Sequence, residues 1–135
     1  MSNPVIFDTS IFIDHLRTGC HQKRIDSISG LIRTSSVVLS ELWRGATRPA
    51  ERAFLKELEK NHPLLTPSEK NWVDSGHILE KIRAGKGYSP EKLRDLHFDV
   101  LIALTAQTYG ARLITSNRVD FELINTYRNF YLEVW

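Results

Sequence analysis

Apolar residues along this chain fall into short compact runs separated by longer stretches with helical spacing. Val5–Phe7, Val37–Leu39 (with Thr34 to Ser36 leading in), Arg112–Thr115 and Phe130–Val134 read as strands, and Pro63–Thr66 is a weaker fifth. Runs this short, rich in Val, Ile and Leu and without polar alternation, suit strands covered on both faces of a parallel sheet. Helix signals lie between them. Thr66-Pro67-Ser68-Glu69 has the form of a capping box with proline in the first turn. Ser89-Pro90-Glu91 opens another helix by the same logic, with Gly110 placed to end it. Arg48-Pro49-Ala50-Glu51 opens a third, with Phe54, Leu55 and Leu58 at helical spacing, and "RAGKGYS" over residues 83–89 reads as a loop. Strands alternating with helices predict an α/β fold: one three-layer α/β/α domain over residues 1–135 with a central, mostly parallel sheet of about five strands.

Composition narrows the picture little. The apolar fraction of 41% and charged fraction of 25% are those of an ordinary globular protein. Eighteen Lys and Arg against 16 Asp and Glu leave +2, which permits nucleic-acid binding without demanding it. A single cysteine, Cys20, cannot form an internal disulfide and favours a reducing compartment. The N-terminal stretch shows no basic segment followed by a long apolar run, and nothing approaches a membrane span. The expected location is cytoplasmic, with no membrane partner.

The chemistry is carried by the acids. Asp8 follows the first strand in "VIFDTSIFIDHL", where ligands bind in open α/β sheets, though it would equally cap a helix starting near Thr9. Glu41 in "SSVVLSELWRGA" reads as the first turn of a helix capped by Ser40, just past a strand end. Asp99 lies in "RDLHFDVLIALTAQTYG", a helix apolar nearly all round, where a lone carboxylate is costly unless a cation or an ion pair to Lys92 or Arg94 offsets it. After "ARLIT" come Ser116, Asn117 and Asp120, the last also a plausible N-cap. Asp95 reads as surface. Carboxylates gathered at strand ends would repel one another unless a divalent cation neutralised them, and oxygen-only ligands select Mg²⁺ or Mn²⁺. The histidines are scattered and do not suggest zinc.

In these segments the chain resembles PIN-domain ribonucleases, specifically the VapC-type toxins of bacterial type II toxin–antitoxin pairs. "FDTSIFIDHLR", "SSVVLSELWRGA" and "HFDVLIALTAQTYGARLITSNRVDFELI" are similar to the family's four blocks, in order and over nearly the whole chain. The resemblance implies a metal-dependent endoribonuclease with Asp8, Glu41 and Asp99 as catalytic metal ligands for Mg²⁺ (or Mn²⁺). Asp120 is weighted above Asn117 as the fourth, with Asn117 a polar contact to water or substrate. Thr9, Ser10, Thr115 and Ser116 would orient the carboxylates, and Arg44, Arg48, Lys86 and Arg118 would form an RNA-binding rim. Lys81, Arg83 and Lys92 read more readily as solvated helix charges.

The same resemblance implies hydrolysis of RNA to 5′-phosphate and 3′-hydroxyl ends, one or two metal ions, a homodimer, and a cognate antitoxin seated over the early helices and the "ELWRGATRPAERAFLKEL" region. A receiver domain is disfavoured because "LITSN" has no lysine, and a haloacid-type phosphatase because Ser10 stands where it needs a second aspartate. The main rival is a non-catalytic PIN-like domain that binds RNA or protein. Trp43, Phe54, Trp72, Phe98 and Tyr109, at helical spacing with aliphatic residues, read as core or interface rather than base-stacking platforms.

Overall fold

The computed structural model describes residues 3–135; residues 1 and 2, part of the N-terminal stretch considered above, lie outside it. Five strands, β1 (Val5–Phe7), β2 (Ile32–Ser35), β3 (Leu64–Leu65), β4 (Arg112–Thr115) and β5 (Tyr131–Val134), form one sheet in the order β3-β2-β1-β4-β5. Every pairing is parallel. The helices are α1 (Thr9–Thr18), α2 (Gln22–Asp26), α3 (Ser36–Gly45), α4 (Pro49–Asn61), α5 (Glu69–Lys86), α6 (Pro90–Thr108) and α7 (Arg118–Tyr127). Together they complete a three-layer α/β/α fold. Among the described residues no helix is long and apolar enough to cross a membrane.

The sheet order decides where a ligand can enter. From β1 the chain builds outward through β2 to β3, then returns across α5 and α6 to place β4 on the other side of β1. The crevice between the two directions therefore opens at the carboxyl ends of β1 and β4, beside Asp8 and Thr115. Strand β1 is fully buried, as are Leu113 and Ile114 of β4 and the run Val100–Ala106 of α6. These residues anchor a core against which the carboxylates are placed.

Four expectations are corrected. Val37–Leu39 is not a strand: the strand ends at Ser35, whose hydroxyl accepts hydrogen bonds from the amides of Val37 and Val38 and starts α3. Val37, Val38, Leu39 and Leu42 then bury one helical face, and that packing overrides the strand preference of the two valines. Consequently Ser40 caps nothing, and Glu41 lies within α3 rather than in its first turn.

The helix expected from Thr66 starts two residues later. Ser68 is its N-cap and shares a reciprocal pair of bonds with Asn71, both at 3.0 Å, because Asn71 in the third helical position can return the bond to the Ser68 amide. At the other end, "RAGK" is helical through Lys86. Only Gly87, left-handed at φ 66°, turns the chain, because the αL position at the helix end favours a residue without Cβ. Of the five aromatic residues assigned to core or interface, Trp43, Phe54 and Phe98 pack against the core, while Trp72 and Tyr109 are exposed.

Ser35 is fully buried at the β2–α3 junction. Replacing it with Ala removes the oxygen that receives two amides and should lower unfolding free energy by about 1–2 kcal/mol in urea titration. A loss near zero would mean that the cap does not hold this junction.

Candidate functional site

The site is built around Asp8, which is 3% exposed at the end of the central strand. Its amide continues the sheet by donating to Ile114 O at 2.8 Å, and its carboxylate Oδ2 receives the hydroxyls of Ser10 and Thr115, both at 2.8 Å. The Ser10 amide, at 3.4 Å, also points to Oδ2, so Asp8 is the N-cap of α1 as well as the acid at the strand end. The two readings of Asp8 were not alternatives. Burial raises its pKa, and the Ser10 and Thr115 bonds oppose that rise.

Glu41 reaches the same crevice from α3. Its Oε1 accepts the Thr9 hydroxyl at 2.9 Å, which ties α3 to the first residue of α1. Burial raises its pKa first; the Thr9 bond lowers it, the Asp8 charge raises it and Arg44 lowers it again. Arg44, whose charge lowers the Glu41 carboxyl, also lies 5.5 Å over the ring of Phe98, the residue before Asp99.

Asp99 projects from the middle of α6. Its pKa is pushed up to about 8, chiefly by burial and then by the charges of Asp8, Glu41 and Asp120, with Lys92 pulling the other way. Asp8, Glu41 and Asp120 lie on other segments of the chain, and the charge of each adds to the rise that burial causes at Asp99. They are near enough to repel. They do not share a ready-made coordination shell: among the described residues, no three His, Cys, Asp or Glu side chains are gathered as a group that could hold an ion.

Asp120 is held differently. Asn117, not Asp120, caps α7, its Oδ1 facing the Asp120 amide at 3.4 Å. Asn117 Nδ2 donates to Asp120 Oδ2 at 3.2 Å, and Lys92 Nζ lies 3.3 Å from Asp120 Oδ1. Lys92 is thus not a solvated helix charge, and its ion pair is with Asp120 rather than with Asp99.

The hydroxyls divide their labour. Thr9 serves Glu41; Ser10 and Thr115 serve Asp8 and lie 3.2 Å from each other. Ser116 instead donates its hydroxyl to Asp14 Oδ2 at 3.1 Å, while its amide donates to Ser10 Oγ. Asp14 was missed in the sequence because it sits on α1 among apolar neighbours like any surface acid; its relation to Ser116 spans 102 residues. Among the other rim residues, Arg118 pairs with Glu122 at 2.7 Å, whereas Arg48 and Lys86 are exposed at helix ends. An all-oxygen donor set in which the other acids raise the proton affinity of Asp99 is chemically suited to a hard divalent cation, with Asp8, Glu41, Asp99 and Asp120 as the groups that could hold it.

A family model described as "PIN domain" matches residues 5–125. No curated protein matches the chain. Among solved structures, DNA-bound VapBC from Salmonella typhimurium aligns over 100% of this chain and 99% of its own, with a TM-score of 0.74 and 22% identity. VapBC2 from Rickettsia felis, bound to a DNA fragment from its promoter, aligns over 98% of each chain at TM-score 0.71 and 22% identity. VapBC-1 from nontypeable Haemophilus influenzae gives 0.70 and 19% over the same 98% of each chain. The resemblance read from the four sequence blocks is borne out in family and in fold.

The raised pKa of Asp99 has a signed consequence. Below about pH 4 the folded and unfolded states both carry the proton, so the group adds no penalty. As pH rises the unfolded state ionises first, and stability falls until the folded group also ionises near 8. Metal-free protein in EDTA should therefore lose melting temperature between roughly pH 5 and 8. Asp99→Asn should flatten that slope, and an equally steep slope in the Asn variant would show that Asp99 is not the strained group.

Proposed function

Because this chain belongs to the PIN-domain family, we propose that it is a metal-dependent endoribonuclease and the toxin of a VapBC-type toxin–antitoxin pair. The single observation that carries the catalytic reading is the Asp99 carboxyl, pushed up to about 8 by burial first and then by the charges of Asp8, Glu41 and Asp120. A protein gains no stability from such repulsion, and a divalent cation turns it into binding energy.

Asp8, Glu41, Asp99 and Asp120 would hold Mg²⁺ or Mn²⁺, which when bound supplies a Lewis acid for the scissile phosphate and an acidified water. The chain's own residues do the positioning. Ser10 and Thr115 fix Oδ2 of Asp8, and Thr9 holds Oε1 of Glu41. Glu41, its proton affinity raised, is suited to receive a proton from the attacking water at Oε2. Lys92 and Asn117 hold Asp120 at the mouth of the crevice. Hydrolysis in this reading leaves a 5′-phosphate and a 3′-hydroxyl, and Arg44 is the first of the cations to meet the RNA backbone.

The antitoxin reading has its own support. A depression of about 240 Å³ lies between α1, α3 and α4, lined among others by Ile13, Leu16, Leu42 and Leu55 with Glu41 at its edge. Its aliphatic floor, the small residues Gly45 and Ala46, and the charges of Arg17 and Glu51 suit an inserted peptide segment. A chain seated there would lie against a carboxylate of the crevice. A similar solved structure described as a toxin–antitoxin complex, from Klebsiella pneumoniae, supports assigning such a partner.

With Mn²⁺ or Mg²⁺ the protein should cleave RNA, and EDTA should stop it. Asp8→Asn or Asp99→Asn should abolish cleavage with melting temperature unchanged or raised, as measured on the same preparations. Full cleavage by the Asp99→Asn protein would remove the mechanism. Thr115→Val should leave a folded protein whose metal affinity is weaker by about 10- to 100-fold in titration, as loss of a ligand-orienting bond requires. For the toxin assignment, a small protein encoded immediately upstream should co-purify with the chain, and Leu16→Asp should release it. Retention by Leu16→Asp would place the contact elsewhere.

A further inference from the structure

A second depression, of about 530 Å³, opens between the end of α5, the turn into α6 and the outer face of α7. Lys86, Tyr88, Val119, Leu123, Thr126 and Tyr127 line it. Two phenol rings, aliphatic surface, a hydroxyl and a lysine ammonium are brought together here by segments 30 to 40 positions apart. Tyr127 lies close against the last turn of α5, because a Cβ at Gly85 would come within 2.7 Å of its Oη. Val119 is 75% exposed, a large fraction for a valine with no neighbour to cover it. The acidic lining residue, Glu122, is paired with Arg118 at 2.7 Å.

The depression neighbours the carboxylates through Lys92. Lys92 Nζ lies 5.9 Å from the Tyr88 ring centroid and 3.3 Å from Asp120 Oδ1, so one side chain joins the two. Val119 and Asp120 are consecutive on α7. A volume within the usual range of roughly 300–1,000 Å³ for small-ligand sites, aromatic rings and the Lys86 ammonium together match a nucleobase with its phosphate. Single-stranded RNA is held in just this way, with bases stacked on aromatic side chains and the backbone tracked by cations.

We propose that this depression is a nucleobase subsite, taking one unstacked base of a single-stranded RNA that runs past the carboxylate crevice. The base lies on the Tyr88 ring, with Val119, Leu123 and Tyr127 around its edge. Lys86 receives the adjacent phosphate. The identity of the base next to the cut is then read at this end of the groove, by α5, α6 and α7 rather than by the acids. The inference rests on the nuclease reading for its biological use, but stacking can be measured without metal or cleavage.

The probe is a short single-stranded RNA carrying 2-aminopurine at successive positions, added to the full chain in EDTA. Stacking on tyrosine should quench the fluorescence at one or two adjacent positions. Tyr88→Leu should remove that quenching and weaken binding roughly tenfold. Val119→Glu, at an exposed position that folding does not depend on, should weaken it by a similar factor by setting a carboxylate against the phosphate. Absence of quenching in the unaltered protein, or two variants that bind as tightly as it does, would overturn the proposal. So would quenching that persists in Val119→Glu while the mass in solution changes, since the face would then belong to a protein contact. Mn²⁺-dependent cleavage of the same RNA separates the two readings. Quenching without cleavage counts against the nuclease alone, and cleavage without quenching counts against the subsite alone.

Discussion

The candidate site depends on one buried oxygen, Oδ2 of Asp8. Hydroxyls from Ser10 and Thr115 meet it, and the second of these bonds joins positions 107 apart in the chain. A carboxylate 3% exposed would be expensive without such partners. With them it becomes a knot between the carboxyl ends of β1 and β4, at the point where the sheet changes direction. The Thr115 hydroxyl also receives the Asn117 amide at 2.9 Å, so the same knot positions the segment that carries Asp120.

Around that fixed centre the remaining acids are held by weaker constraints. Glu41 is steadied by Thr9, and Asp120 by Lys92 and Asn117, whereas Asp99 has burial and three carboxylates for surroundings. Lys92, whose charge lowers the Asp99 carboxyl, is itself held 3.3 Å from Asp120.

The same four segments divide the molecule into faces with different chemistry. The apolar depression between α1, α3 and α4 touches the crevice through Glu41. The aromatic depression between α5, α6 and α7 neighbours it through Lys92, which lies by Tyr88 and pairs with Asp120.

Much of this could be read from residue order alone. The alternation of short apolar runs and capped helices was enough for the α/β class, for β1 and β4 in their observed places, and for Asp8, because hydrophobic period and helix-start chemistry are local properties. The approximate starts of α4 and α6 were legible at Pro49 and Pro90 for the same reason. Tertiary packing decided the rest. Val37 and Val38 prefer strands as isolated residues, yet they enter α3 because Ser35 caps it and the core accepts their helical face. That shift moves Glu41 from a first helical turn to a helix interior, and the Thr9 bond shows that it still reaches the start of α1. Lys92 with Asp120, and Asp14 with Ser116, are contacts between distant segments that no local spacing encodes. Local sequence determined which segments fold and which acids they carry; only the parallel sheet order, by folding β4 back beside β1, determined which of those acids share a field.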